Sequence, residues 1–166
     1  MTFTSDTSVQ RNGQEYTAKI HDGWDIGGNA NGGYLMALGA RAMATASRPH
    51  PVALNAHFLA PGRPGPVSLA PHVLKQGKRF STVRTSLCAG DKNLVELLGS
   101  FAELKEVEGP VRVDAEPPQL PPPDDCIAMS PATGGPNLMG RFDLRVHPED
   151  AGFAQGTPSG QPLFRG

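Results

Sequence analysis

The residues of this sequence best suited to chemistry lie in Trp24-Asp25-Ile26-Gly27-Gly28-Asn29-Ala30-Asn31-Gly32-Gly33-Tyr34 and, further on, at His57. Four glycines and two asparagines fill positions 27–33. Such a loop can use positive φ and let a ligand or another backbone come close. An apolar helix begins directly behind it, so the first N–H groups, those of Gly32, Gly33 and Tyr34, point into the loop without intrahelical acceptors. That end stabilises negative charge and could supply donors to an oxyanion, with Asn31 orienting a water. The plainer alternative is a tight strand-to-helix connection in which Asn29 and Asn31 are turn or N-cap residues. His57 stands with Asn55 on the polar face of a strand, either as a base or substrate-orienting group or as a hydrogen-bonded structural histidine. Phe58 occupies the apolar face of the same strand. Arg63, Lys75, Lys78, Arg79 and Arg84 could meet a ligand's phosphates or form a solvated face; Arg79 is the one assigned to substrate.

Positioning these groups requires a helix and a sheet. Leu35 to Ala46 is apolar nearly all round, with Arg41 its one charge, and the expected helix covers residues 34–47. Such a helix is a buried one. Ala37, Gly39, Ala40 and Ala44 are small enough for a sheet to wrap it closely. Arg48-Pro49-His50-Pro51 ends the helix, because proline removes a donor and restricts its predecessor. Strand-like segments follow at 52–59, 67–75, 79–88 and 93–104, joined by short Gly/Pro turns, and Glu15 to Ile20 alternates ahead of the loop. Residues 1–13 are polar and expected to fray. One long helix among antiparallel strands makes an α+β layer fold, with the sheet curled around the helix and covering it on one side. That is the hotdog arrangement, whose free edge and outer face usually meet a second hotdog.

Composition narrows the function. The 166 residues carry a net charge of −1, which gives no reason to expect nucleic acid or an anionic membrane as a partner. Cys88 and Cys126 show no CxxC pattern, and His21, His50, His72 and His147 show no metal-ligand spacing, so no metal or cofactor is expected. No signal peptide or membrane span is read, which places the expected protein in the cytoplasm. There is no P-loop, GxGxxG, GxSxG or HExxH. From Lys105 the character changes: residues 105–140 hold eight of the 17 prolines, five of them in 117–123. The expected organisation is a folded domain at 1–107, a Pro-rich linker at 108–140, and the start of a second, truncated domain at 141–166.

Four blocks together resemble a known family. They are Trp24 to Leu35, His50-Pro51, Asn55 to Leu59 with Pro61-Gly62, and Gly77 to Thr82. In this order and spacing they are similar to the N-terminal half of TesB-like acyl-CoA thioesterases, over about residues 15–104. Arg141 to His147 resembles the opening strand of that family's second hotdog. The resemblance implies a double hotdog, here truncated, that hydrolyses fatty acyl-CoA to free acid and CoA, with the chain pairing as a homodimer or with a second hotdog. What matches the family here is the glycine loop, the helix start and His57; the expected site has Asn31 and His57 as catalytic groups and Gly32, Gly33, Tyr34, Phe58 and Arg79 as substrate contacts. The family's better-established catalytic groups, an Asp with Gln and Ser or Thr partners, lie in its second hotdog, so none of them is carried over here. Ala60 stands where the family often has a basic residue. The alternative from another class is a non-catalytic hotdog that binds acyl groups or serves assembly.

Overall fold

The computed structural model describes residues 2–104, 112–117, 119–158, 160 and 165–166. They fall into two compact units, Met1–Val107 and Glu108–Gly166.

In the first unit a short helix α1 (Phe3–Asp6) and strands β1 (Gln10–Asn12) and β2 (Glu15–Ile20) lead to a two-stranded ribbon, β3 (Asp25–Ile26) and β4 (Asn29–Ala30). The long helix α2 (Gly32–Ala46) follows. Five strands complete the unit: β5 (His50–Phe58), β6 (Gly65–Leu69), β7 (His72–Gln76), β8 (Phe80–Ala89) and β9 (Lys92–Ala102). The main sheet is antiparallel in the order β1-β2-β6-β8-β9-β5, with β7 also pairing to β8. This is the α+β hotdog arrangement of one long helix against a curled antiparallel sheet.

Alternation decides which face of each strand meets the helix. Along β8, Ser81, Val83, Thr85 and Leu87 are buried, while Arg84 between them is exposed. Along β9, Val95, Leu97 and Phe101 turn inward. From α2 they receive Tyr34, Leu35, Leu38, Gly39, Ala42 and Met43. The approach is close enough to demand glycine at two facing positions. A Cβ on Gly39 would stand 2.8 Å from Leu97 Cδ1 on the sheet, and one on Gly99 would stand 3.1 Å from Met43 Cε on the helix and 2.7 Å from Leu54 Cδ2 on the neighbouring strand.

The sheet covers α2 on one side, as this arrangement implies. Arg41 and Thr45 are exposed and Ala37, Ala40 and Ala44 half-buried, so the apolar circumference exceeds what one sheet covers. The helix also starts two residues earlier than expected, at Gly32, because Asn31 caps it. Residues 3–7, expected to fray, are ordered.

In the second unit β10 (Ile127–Met129) pairs antiparallel with β11 (Leu144–Val146), burying Met129 and Val146. The pairing joins the expected linker to the expected start of a second domain, so residue 140 is not a boundary. Short 3-10 turns occupy much of the rest. Residues 105–111 and 118 of the Pro-rich stretch lie outside the described residues.

Candidate functional site at the start of the long helix

The glycine loop is a hairpin feeding a helix cap. Gly27 (φ 59) and Gly28 (φ 81) are the two turn residues between β3 and β4, both in the positive-φ region that a two-residue type I′ turn needs. The Asp25 carboxylate, itself buried, accepts the Gly28 N–H at 3.1 Å through Oδ2. The hairpin is tied at its base, where the Asn31 N–H reaches the Trp24 carbonyl at 2.7 Å and the Ala30 N–H the Gly62 carbonyl at 2.9 Å.

Asn31 then caps α2: its Oδ1 accepts the Tyr34 N–H at 3.2 Å, and its carbonyl accepts the Leu35 N–H. The Tyr34 amide is therefore committed to the cap. Among the described residues, the N–H groups of Gly32 and Gly33 have no acceptor, and Gly33 is exposed. They are the donors a ligand's oxygen could use.

Beside them lies an apolar cavity of about 390 Å³, with Ala30, Gly32, Leu35, Phe58, Pro61 and Gly62 among its walls. Phe58, half-exposed at 52 %, lays its ring on Gly32: a Cβ there would come within 2.9 Å of Cζ. Gly62 opposite is also tightly placed: a Cβ there would meet Leu35 Cδ1 at 3.1 Å, and the leucine would have to give. Glycine at both places lets an aromatic ring and a loop close in on the first helical turn.

The sequence-predicted residues therefore gather only in part. Asn31, Gly32, Gly33 and Phe58 meet at one end of α2. Tyr34 contributes its backbone, because its side chain is 2 % exposed and faces inward. His57, next to Phe58, takes the opposite face of β5. It pairs in register with Glu96, which in turn pairs with Ser86. On that outer face Glu96 Oε1 accepts hydrogen bonds from Ser86 Oγ and Asn93 Nδ2, each 2.5 Å. Burial, with the nearby Glu96 and Glu15 carboxylates, pushes the Cys88 thiol up. His57 thus stands among sheet-face polar groups, because strand alternation separates it from Phe58 and the helix start.

Arg79 is separated by distance along the helix. Its turn is held by Arg48, whose guanidinium donates to the Gly77 and Lys78 carbonyls at 2.9 and 3.2 Å just beyond the C-terminal end of α2. A 15-residue helix is roughly 22 Å long, so Arg79 lies at the far end from Gly32.

Asp6, a residue the sequence did not single out, is 2 % exposed and close behind the helix start. No spacing rule links it to Trp24 or Tyr34, so only the folded chain brings them together. Among the described residues no group of His, Cys, Asp and Glu could hold a metal ion, and no helix is long and apolar enough to cross a membrane.

Known structures share this framework. The chain is similar to a Thermobifida fusca protein named "putative thioesterase II" (28% identity, TM-score 0.83), covering 98% of this chain and 60% of that one. It also resembles a hot dog fold protein of Alicyclobacillus acidocaldarius (18% identity, TM-score 0.71, 87% of this chain and 54% of that one). A third likeness is to the acyl-CoA thioesterase II TesB2 of Mycobacterium marinum (18% identity, TM-score 0.66, 89% and 53%). At their identities the last two speak for the fold alone, and the chain spans little more than half the length of all three. No curated protein matches the sequence. Residues 20–102, half of the chain, match the family model described as the acyl-CoA thioesterase N-terminal domain, and the chain belongs to that family.

Proposed function

We propose that the chain acts on fatty acyl-CoA, hydrolysing the thioester to free acid and CoA. The observation that carries this reading is the pair of unpartnered Gly32 and Gly33 N–H groups opening beside an apolar cavity, in a chain of the acyl-CoA thioesterase N-terminal domain family. In it, the acyl chain enters the cavity along Phe58 and Leu35. Water adds to the carbonyl carbon, the Gly32 and Gly33 amides receive the developing oxyanion, and the C–S bond breaks to release the CoA thiol. Asn31 acts by holding the first turn in place. The base comes from a second hotdog, because no acidic or imidazole side chain joins Gly32 and Phe58 in lining this cavity.

Pairing with that second hotdog, here as a homodimer, fits the half-open face of α2 and β5 as an edge strand. The cytoplasm as the place of action fits two unpaired cysteines, Cys88 and Cys126.

The test follows release of free CoA thiol by the purified chain from acyl-CoA of graded chain length. Turnover that falls tenfold or more when Gly33→Pro removes one donor supports the reading. Turnover absent at every chain length, with acyl-CoA still bound, moves the chain to the non-catalytic alternative. That alternative rests on the same missing base.

A further inference from the structure

The N-terminal segment Phe3–Thr7 is too short to hold a helix by itself, since isolated helices of that length do not persist in water. Its order comes from ties to the residues around the glycine hairpin. Locally, Thr2 and Ser5 form a reciprocal cap, with the Ser5 N–H donating to Thr2 Oγ1 and the Thr2 N–H to Ser5 Oγ. Further ties run to distant parts of the sequence. The buried Asp6 carboxylate accepts the Trp24 indole N–H at 2.9 Å through Oδ2, and the Ser5 hydroxyl at 3.1 Å through Oδ1. The Asp6 carbonyl accepts the Tyr34 hydroxyl at 2.8 Å, a proton shared with the Lys19 carbonyl at 3.2 Å. The same hydroxyl oxygen accepts the His21 N–H at 3.1 Å.

The rings close the arrangement. Trp24 stacks on Tyr34 (5.0 Å, 10°), and Phe3 meets Trp24 edge-on (5.4 Å, 61°). Thr7, fully buried, receives a long 3.4 Å contact from Arg41 two turns along α2.

Both ends of the site are anchored here. Trp24 is the residue whose carbonyl closes the hairpin on Asn31, and Tyr34 lies in the first turn of α2. A shift of α1 must move the indole, the phenol or both. A buried carboxylate tolerates such movement poorly, because its partners cannot be replaced by water.

We propose that Phe3–Thr7 is a latch, with Asp6 as its positioning residue, that sets the place of the hairpin 24–31 and the first turn of α2. The functional consequence rests on the thioesterase reading above. The mechanical consequence does not. Trp24 is the sole tryptophan of the chain, so its fluorescence reports the latch directly.

The experiment compares Asp6→Asn, Asp6→Leu and Phe3→Ala in the full chain by tryptophan emission and by hydrogen exchange, with acyl-CoA turnover in parallel. Asp6→Asn keeps an acceptor for the indole, and the parent emission and exchange are expected. Asp6→Leu and Phe3→Ala should shift emission to the red. They should speed exchange tenfold or more at Tyr34, Leu35 and Ala30, whose amides are hydrogen-bonded in the parent, while Val83, Val95 and Leu97 stay as slow as in the parent. Emission and exchange unchanged in Asp6→Leu would overturn the latch, as would acceleration equal in the sheet and at the helix start. Where the parent turns over acyl-CoA, the two disruptive variants should lower kcat with KM retained, and Asp6→Asn should restore it. A parent without turnover removes the thioesterase reading and leaves the emission and exchange result standing.

Discussion

Asn31 takes the N-cap role that the sequence offered beside a catalytic one. Its oxygen is taken by the Tyr34 amide, so replacing it removes a cap before it removes anything else. Asn31→Ala should lower stability by about 1 kcal/mol, with Asn31→Asp or Asn31→Ser recovering most of the loss. Chemical denaturation of the four proteins checks this; an Asn31→Ala midpoint equal to the parent's would mean the cap contributes nothing. Cys88 gives a second test at this scale. Burial first, then the Glu96 and Glu15 carboxylates, keep its thiol protonated to higher pH than a free cysteine. Alkylation at neutral pH should therefore be slower than that of a free cysteine. Glu96→Gln should speed it by about two- to fivefold, the range of a partly exposed charge interaction. Equal rates in parent and variant would leave the shift to burial and Glu15.

The helix and sheet set the next constraint, because their contact depends on glycines. At Gly39 alanine would gain about 1 kcal/mol of helix propensity. Its Cβ, however, would lie 2.8 Å from Leu97 Cδ1 and 3.0 Å from Cδ2, and Leu97 is itself 1 % exposed and cannot swing clear. Overpacking of this kind costs about 1–3 kcal/mol. Gly39→Val, bulkier and β-branched, should lower the unfolding free energy read from urea denaturation by that amount, and Gly39→Ala by less. A Gly39→Val protein as stable as the parent would show that the sheet can move off the helix. The hairpin turn follows different physics: Gly27 and Gly28 face open space, so side chains there are opposed by positive φ and not by crowding.

At the scale of the whole molecule, the two units differ in what holds them. The first has a continuous apolar core between α2 and the sheet. The second, with Met129 and Val146 buried, relies more on charge. Arg165 donates through Nε to Asp150 Oδ2 at 2.9 Å and through its terminal nitrogen to Glu149 at 2.9 Å, and its backbone N–H also reaches Asp150. The Arg165 side-chain hydrogen bonds hold the Asp150 carboxyl below the usual carboxylate range against the opposing effect of burial. A depressed carboxylate stabilises the folded form fully above its unfolded value of about 3.9 and loses that contribution as pH falls through the folded value. Exchange at the Arg165 amide should therefore be protected at neutral pH and released in acid below about pH 4. Asp150→Asn should release it at every pH. Protection that persists in the Asn variant would show the ion pair to be incidental.

The apolar run from Leu35 to Ala46, ended by Pro49 and Pro51, determined by itself that a long helix exists. The alternating segments with Gly/Pro turns determined the antiparallel strands around it. Both signals are local, and local periodicity survives any tertiary arrangement. The four motif blocks likewise carried the family, which the match over residues 20–102 shows. Which groups share a site was a different matter. His57 and Phe58 are neighbours in sequence but on opposite faces of β5, while Phe58 and Gly32 are far apart in sequence and in contact. Arg79, expected as a substrate contact, stands at the other end of α2 from Gly32. The polar start of the chain carried no sign that Asp6 would be buried against Trp24. Asp6 meets partners that arrive from 18 and 28 residues away, the Trp24 indole at its carboxylate and the Tyr34 hydroxyl at its carbonyl, and no spacing within the sequence encodes that meeting.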